Sequence, residues 1–333
     1  MRIRALLHAV VAVFVLLCVW VALPAGAQTA PAYPAKPVRL VVPFPPDGAI
    51  DIIGRLLSER LTQIWGQAVL VENRAGASGM IGADVVAKSP PDGYTVLISS
   101  TAEVAINQSL YKKMTYVPER DLAPVTLAAV APLVLVLVVG AGEKVKTLDQ
   151  LVAAARARGK KLSYGSAGSG GVQHLSGALL DSKLNAGLTH IPYRGAAPAI
   201  TDVMGGQVDM IFSAIPPVIQ FIKDGRLVPL GLTVPRRSAA LPDVPTMNEL
   251  VPGGDFDISN WYGIYVAAGT PPEIVAKLNA DIARVMKQPD VRDKLTGIGA
   301  EPVGNSREEF ARFWKAEIDK YARLIKISGA VAE

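Results

Sequence analysis

The chain has 333 residues, of which 50% are hydrophobic, 6% aromatic and 19% charged, and it contains one cysteine. This composition excludes a disordered chain, a collagen-like fibre and a small disulfide-stabilised domain. The formal net charge of +5 is spread along the chain with acidic residues in between, so it does not indicate a nucleic-acid partner. At this length we expect one large domain or two of medium size, and we favour two lobes.

The first 27 residues have the pattern of a secretory signal. Two arginines precede an apolar run over residues 5–23, and the small residues Ala25, Gly26 and Ala27 follow it. This pattern predicts cleavage after Ala27 and export. The alternative is an uncleaved membrane anchor, because the apolar run is just long enough to span a bilayer. Cleavage would remove Cys18, so we expect an exported, soluble protein without disulfides.

Strands and helices then alternate along the chain. Short apolar runs predict strands, and apolar residues at helical spacing predict helices. In chain order we predict strand 38–42, helix 49–62, strand 68–71, helix 80–88, strand 94–98, strand 132–139, helix 147–158, strand 162–164, helix 172–183, strand 188–191, helix 196–204, strand 208–212, strand 227–233, strand 262–267, helix 272–286 and helix 306–327. The Pro-rich stretch 235–252 lacks apolar periodicity and is predicted to be a surface connection.

This order predicts an α/β fold in which a βαβ unit is built twice. The run PLVLVLVV at 132–139 is apolar on both faces, which suits a central strand covered on both sides. Ser306 and Glu309 have the spacing of a capping box, which predicts the start of the last helix.

Two junctions between a strand and a helix are the candidate binding loops, because parallel sheets bind ligands at the carboxyl ends of their strands. The first contains Pro45, Pro46, Asp47 and Gly48. The second, YGSAGSGGVQH at 164–174, contains the candidate residues Ser166, Ala167, Gly168, Ser169 and His174. A glycine-rich turn at a helix N-terminus offers free N–H groups to a carboxylate or phosphate. Tight turns without a ligand are the alternative for both junctions.

Other kinds of site find little support. The sequence contains no phosphate-binding G-x-x-x-x-G-K-[ST] loop, and Gln173 stands where a dinucleotide fingerprint needs its third glycine. It has no G-x-S-x-G serine-hydrolase motif and no cluster of metal ligands. We therefore predict no cofactor and no metal. His190 lies in an apolar strand and is interpreted as a buried, hydrogen-bonded histidine.

Several long motifs, in order along the chain, resemble the extracytoplasmic receptors of tripartite tricarboxylate transporters, the Bug family. They are KPVRLVVPFPPDGAID (36–51), VENRAGASGMIG (71–82), PDGYTVL (91–97), YGSAGSGGVQHLSG (164–177), IPYRGAAPAITDVMGGQVDMIF (191–212), LPDVPT (241–246) and GAEPVGNS (299–306). The likeness runs from about residue 33 to the C-terminus.

The resemblance implies a two-lobed periplasmic binding protein of type II-like fold, each lobe a mostly parallel sheet flanked by helices, with the ligand cleft between them. It places residues 28–130 and 255–333 in one lobe and 131–254 in the other. It implies a monomer without catalytic activity. This receptor would pass a small organic acid or amino-acid-like solute to two membrane subunits or to a sensor.

The resemblance also implies contacts from both junctions to the ligand, and we add Thr101, Arg194, Gly195 and Ser213 to the predicted site. Arg194 could equally pair with Asp202. Asp51 is interpreted as bracing its loop rather than binding ligand.

Three positions depart from the family pattern. Family members commonly have Gly at Asp47, a Thr-His pair at Glu103 and Val104, and Asp or Asn at Ser213. A carboxylate about 4 Å from a ligand carboxylate would cost roughly 4 kcal/mol. We therefore hypothesise a ligand with a cationic or hydrogen-bond-donating group, such as an amino acid or a heteroaromatic carboxylate. The alternative is that Asp47 and Glu103 do not face the ligand.

A second function class also fits the sequence. A secreted hydrolase or isomerase could use the same cleft with His174 as the general base. The sequence identifies no nucleophile partner for that histidine.

Overall fold

The computed structural model describes residues 33–138, 145–158 and 161–331. From Lys36 onward the described residues form one compact unit. The predicted secretory signal at 1–27 lies outside the described residues. None of the helices in these ranges is both long enough and apolar enough to cross a bilayer.

The first part of the fold contains four strands and four helices. These are β1 (Val38–Val42), α1 (Ala49–Trp65), β2 (Val69–Asn73), α2 (Met80–Ala87), β3 (Thr95–Ser100), α3 (Asn107–Leu110), α4 (Pro118–Asp121) and β4 (Leu122–Val138). A 3-10 turn at Ala77–Gly79 precedes α2, and a π-helical turn at Ala102–Ile106 precedes α3.

The same alternation continues in the second part. It comprises α5 (Leu148–Arg158), β5 (Ser163–Ser166), α6 (Val172–Leu184), β6 (Thr189–Pro192), α7 (Ala196–Met204), β7 (Met210–Ala214), α8 (Pro216–Lys223) and β8 (Leu227–Leu232). The chain then forms α9 (Met247–Leu250), β9 (Ser259–Ala267), α10 (Pro272–Met286), α11 (Pro289–Gly297), β10 (Glu301–Pro302) and α12 (Arg307–Ser328).

The described strands form one curled mixed sheet with the main order β2-β1-β3-β9-β4-β7-β5-β6. Strands β1, β2 and β3 pair in parallel, as do β5, β6 and β7. Strand β4 runs antiparallel to its partners: residues 122–132 pair with β9, whereas residues 133–138 pair with β7 and β8. Each end of β4 thus belongs to a different half of the sheet, and the predicted lobe boundary at residue 131 falls within it.

The core is packed from both sides of this sheet. The largest fully buried side chains include Trp261, Tyr265 and Phe310, and the Phe310 ring packs edge-on against Trp261 and tilted against Tyr265. Helix α12 contributes Phe310 and packs against β4, and it also packs against α6. The last helix therefore contacts elements from both halves of the sheet.

Most sequence predictions of secondary structure are confirmed. Residues 38–42 form β1 as predicted, helix 272–286 is α10, and the capping box of Ser306 and Glu309 begins α12. The predicted strand at 132–139 is the second half of the much longer β4, and its end at residue 139 lies outside the described residues. Helices α8 and α11 were not predicted, although each begins with proline, which is favoured at the first position of a helix.

The prediction of a surface connection at 235–252 is wrong in part. Leu241, Val244 and Met247 are buried, and Thr246 caps the short helix α9 through a capping box with Glu249. Isolated apolar residues between prolines have no periodicity, so the sequence pattern does not show that this segment packs onto the core.

Gly177 offers a test of how closely α6 packs on the sheet. A Cβ atom at this position would lie 2.1 Å from the ring of Tyr164 on β5. We expect Gly177→Ala to lower the free energy of unfolding by about 1–3 kcal/mol, because the buried ring has to shift. Gly297→Ala is the matched control: it meets nothing within 4 Å and should change stability by less than about 1 kcal/mol. Equal urea midpoints for both variants would contradict this packing.

Candidate functional site

A cavity of about 430 Å³ opens where the two halves of the sheet meet. Its lining includes the glycine-rich loop at 167–171, the start of α6, and Phe44 and Ala49 beside the first junction. Ala131 and Leu133 of β4 also line it. This volume is in the range of small-molecule sites in proteins. The two junctions identified in the sequence therefore border the same cavity.

The glycine-rich loop presents free backbone donors to this cavity. Helix α6 has no side-chain cap at its N-terminus. In the described part of the chain, the amides of Ser169, Gly171 and Val172 have no hydrogen-bond acceptor, and all three residues line the cavity. Uncapped N–H groups at a helix start favour an anionic ligand. Of the predicted residues, Ala167, Gly168 and Ser169 line the cavity.

His174 holds the loop rather than entering the cavity. Its Nδ1 accepts a hydrogen bond of 3.0 Å from the amide of Gly170, and its side chain is buried. Gly170 has φ 78°, and a Cβ atom there would lie 2.5 Å from Leu110 Cδ2, so glycine is needed for both reasons. Burial lowers the pKa of His174, which keeps the ring neutral and able to accept this bond.

Behind the loop, His174 stacks on His190 with ring centroids 3.7 Å apart and planes 3° apart. His190 Nε2 and Ser166 Oγ are 2.6 Å apart, and Ser166 is buried. Burial, together with the smaller effect of the neighbouring His174, lowers the pKa of His190 to about 4. His190 is half-buried and hydrogen-bonded, close to its sequence interpretation.

The pairing of Ser166 with His190 does not form a hydrolase site. Ser166 Oγ donates to the carbonyl oxygen of Gly168 at 2.8 Å, so its proton is already engaged by the backbone. Neither Ser166 nor His190 lines the cavity. In the described ranges no carboxylate bonds to His190 to orient its ring, although triad chemistry needs such a group. The pair acts as an internal brace for the start of the loop.

The first junction is a tight turn whose four predicted residues are exposed at the cavity margin. Asp47 has φ 68°, a left-handed conformation that glycine or aspartate adopts more easily than other residues. Its amide donates to Asp51 Oδ2 at 3.1 Å. Pro45, Pro46, Asp47 and Gly48 do not themselves line the cavity, whereas Phe44 and Ala49 on either side do.

Asp51 braces this junction, as the sequence indicated. It is buried and accepts hydrogen bonds from Arg55 Nε at 2.7 Å and Asn73 Nδ2 at 2.8 Å. Burial alone would raise its pKa, but these bonds outweigh burial and lower the pKa. The Asp51 carboxylate is therefore held in the charged form and is unavailable to a ligand.

A third junction, which sequence reasoning missed as a site, also reaches the cavity. Ser78 lines it with φ 51°. Asn107 Nδ2 donates to Ser78 O at 3.0 Å, and Ser78 Oγ lies 2.9 Å from Tyr111 Oη. The motif RAGASG at 74–79 was the available signal, since it also lies between a strand and a helix. It was used only for the family resemblance.

Thr101 does not line the cavity but contacts a residue that does. It is buried, donates to Asn260 Oδ1 at 3.1 Å, and accepts a bond from the amide of Trp261. Asn260 itself lines the cavity and donates to Tyr262 Oη at 3.1 Å. Thr101 therefore positions a lining side chain that the sequence did not identify.

Three further predicted residues lie apart from the cavity lining. Arg194 is exposed and makes no hydrogen bond or ion pair with another described residue, while Asp202 accepts from Tyr193 Oη at 2.7 Å. Gly195 precedes α7 with φ 117°. Ser213 is buried in β7 and donates to the carbonyl of Ala214 at 2.9 Å.

Glu103 is fully buried beneath the third junction and does not line the cavity. Its carboxylate accepts bonds from the Ser100 amide at 2.5 Å and from Ser100 Oγ at 2.6 Å. Burial raises its pKa to about 7, although both bonds oppose this rise. The hypothesis of a cationic ligand group facing Asp47 or Glu103 therefore gains no support from the geometry.

The arrangement suits binding rather than bond-breaking. Its donors are backbone amides and neutral side chains, and among the described residues no group of three His, Cys, Asp or Glu side chains could hold a metal ion. Hydrogen bonds from such amides to a charged oxygen are worth roughly 1.5–3 kcal/mol each. A few of them can hold a carboxylate without any cationic side chain.

Comparison with known proteins agrees with this chemistry. The sequence matches the family model described as tripartite tricarboxylate transporter family receptor over residues 53–330. A UPF0065 protein from the tcbD-tcbE intergenic region of Pseudomonas sp. (strain P51) is 41% identical over 90% of this chain and 88% of its own length. Protein BugT of Bordetella pertussis is 36% identical over 93% of this chain and 94% of its own.

Solved structures of similar sequence have the same fold. R. palustris Rpa4515, determined with adipate, is 34% identical, with a TM-score of 0.77 over 90% of this chain and 99% of its own. MatC from Rhodopseudomonas palustris, with bound malate, is 30% identical, with a TM-score of 0.72 over 88% of this chain and 100% of its own. The α/β periplasmic binding protein fold predicted from sequence is thereby confirmed.

The histidine pair should make stability depend on pH. Because the native pKa of His190 is about 4 and an unfolded histidine has a pKa near 6.5, the unfolded chain binds more protons between these values, so stability falls as pH falls from about 6.5 towards 4. Between pH 7 and pH 4.5 we expect the free energy of unfolding of wild type to fall by about 1–2 kcal/mol more than that of His190→Gln. This figure allows for solvent screening on the exposed side of the ring. Urea unfolding at both pH values gives the free energy of unfolding of each protein. An equal loss of stability in wild type and in His190→Gln would contradict the prediction.

Glu103 should have the opposite effect: it should make the protein less stable as the pH rises. Its pKa is about 7 in the native state and near 4.3 when unfolded, so its stabilising proton is lost as pH rises from about 4.5 to 7. Glu103→Gln keeps an acceptor for the Ser100 amide and a donor for its hydroxyl. We expect this variant to gain roughly 2–3 kcal/mol over wild type between pH 5 and pH 8. The control is Glu59→Gln, because Glu59 is exposed. A gain of equal size in this control would contradict burial of Glu103 as the cause.

Proposed function

Because the chain belongs to the receptor family of tripartite tricarboxylate transporters, we propose that its cavity captures a small carboxylate solute for delivery to a membrane transporter. Receptors of this family bind solutes in the periplasm, and similar structures hold adipate and malate. The carboxylate would be held between the two halves of the curled sheet.

The free amides of Ser169, Gly171 and Val172 are the observation that carries this proposal. They lie at the uncapped start of α6, where the helix dipole adds to their attraction for an anion. The neutral His174 ring fixes the loop through Gly170, so these donors are already oriented before ligand arrives. Such preorganisation lowers the entropic cost of binding.

We propose no catalytic step. Similar proteins are solute receptors, and the one general base suggested by the sequence, His174, has its Nδ1 occupied by the Gly170 amide. Transport requires that the solute leaves the protein chemically unchanged.

The remaining parts of the proposal concern location and assembly. We propose cleavage after Ala27 and release into the periplasm as a monomer, which delivers its solute to two membrane subunits or to a sensor. We further propose that residues 28–130 with 255–333 and residues 131–254 are the two lobes, with β4 and β9 as the crossover strands between them. Closure about such strands would enclose the ligand.

Gly171 allows a direct test of the amide cradle. It has φ −74°, which proline and alanine both adopt, and a Cβ atom there has room, with Gly168 O 4.0 Å away. Gly171→Pro removes one free N–H, whereas Gly171→Ala keeps it. We expect Gly171→Pro to weaken binding about 10- to 100-fold, since one bond to a charged oxygen is lost, and Gly171→Ala to change it less than about threefold.

The ligand for this test is the acid identified by mass spectrometry in gently purified mature protein, and calorimetry gives its affinity for each variant. Equal affinity of the two variants would contradict binding by the loop amides. Chemical conversion of the acid by the protein would contradict a receptor function.

A further inference from the structure

The cavity has no charged side chain in its lining, among the residues that the structure describes. Asp47 is exposed outside it, and Glu103 is buried behind it. A carboxylate is therefore met by backbone amides and neutral polar groups of the loop, and the rest of the ligand also meets neutral side chains. The chemistry of these side chains decides which kind of body the acid can have.

The walls away from the glycine-rich loop are mainly hydrocarbon. Ile106 and Leu110 contribute from one half of the sheet, Leu133 from β4, and Val172 and Ile298 from other elements. Each ligand CH₂ group that leaves water against such walls binds more tightly, in proportion to the apolar area buried.

Most of the polar side chains in the lining are already bonded to protein. Asn107 Nδ2 donates to Ser78 O, and Asn260 bonds to both Thr101 and Tyr262. Gln173 Oε1 accepts a bond of 2.6 Å from the amide of Ala167. Ser169 Oγ and Gln173 Nε2 have no bond to another described group, but both lie at the glycine-rich loop, where the carboxylate would bind. Away from that loop a ligand hydroxyl finds few free partners, such as Asn107 Oδ1. A hydroxyl without a partner costs binding free energy.

We propose that the acid bound here carries its carboxylate on a hydrocarbon body, aromatic or aliphatic, rather than on a hydroxylated one. This inference rests on the proposed function and narrows its substrate class. The amides select for a carboxylate, and the apolar walls, with few free polar atoms away from the loop, disfavour hydroxyls.

Two matched pairs of acids test this inference by calorimetry at pH 7. Cyclohexanecarboxylate and quinate share a ring and one carboxylate, and adipate and galactarate share a six-carbon chain and two carboxylates; in each pair only the second member carries four hydroxyls. In each pair that binds, we expect the hydrocarbon member to bind at least about tenfold more tightly. Equal or tighter binding of quinate or galactarate overturns the inference and leaves the proposed function standing. Failure of all four acids to bind overturns the inference and leaves the proposed function standing, because that function requires only that some small carboxylate binds.

A substitution in the wall gives an independent readout. Leu110→Asn is nearly isosteric and makes the wall polar, and we expect it to lower the affinity ratio within the bound pair by about threefold or more. Leu70→Asn alters an exposed leucine far from the cavity lining and should leave the ratio unchanged. Val172→Thr repeats the test with an isosteric change if Leu110→Asn does not fold. An unchanged ratio in the folded wall variant overturns the inference.

Discussion

The hydrogen bond from the Gly170 amide to His174 Nδ1 is the contact on which the cavity depends. It turns one amide of the glycine-rich loop inward and so leaves those of Ser169 and Gly171 free at the helix start. The bond requires a neutral imidazole, and burial against the stacked ring of His190 supplies that condition. The proposed anion site, in whose lining the structure describes no cationic side chain, thus depends on keeping a histidine uncharged.

Sequence periodicity was sufficient for the fold because each element buries one recognisable face. The run at 132–139 was identified as a central strand, and residues 133–137 of β4 are indeed buried. Its first ten residues were missed because Pro124 and Pro132 interrupt the apolar pattern, although both are accommodated within the pairing with β9. Periodicity also failed for residues 235–252, where burial comes from single residues held by tertiary contacts.

The site was predictable where backbone chemistry determines it and not where side chains meet across the fold. Glycine spacing located the loop at 164–174, and the loop does line the cavity. Asn260 and Ser78 line it as well, but they are separated by more than 150 residues of chain, and no local pattern relates them. The burial of Glu103 was equally invisible, because only the packing of the third junction above it removes its carboxylate from the cavity.

The most direct test of the account is the response of individual backbone amides to ligand. In two-dimensional ¹H–¹⁵N NMR spectra of the mature protein titrated with its bound acid, we expect large downfield proton shifts at Ser169, Gly171 and Val172, because each would donate to a carboxylate oxygen. The Gly170 amide, already bonded to His174, should move little. Saturating binding that leaves the first three amides unshifted would contradict the account.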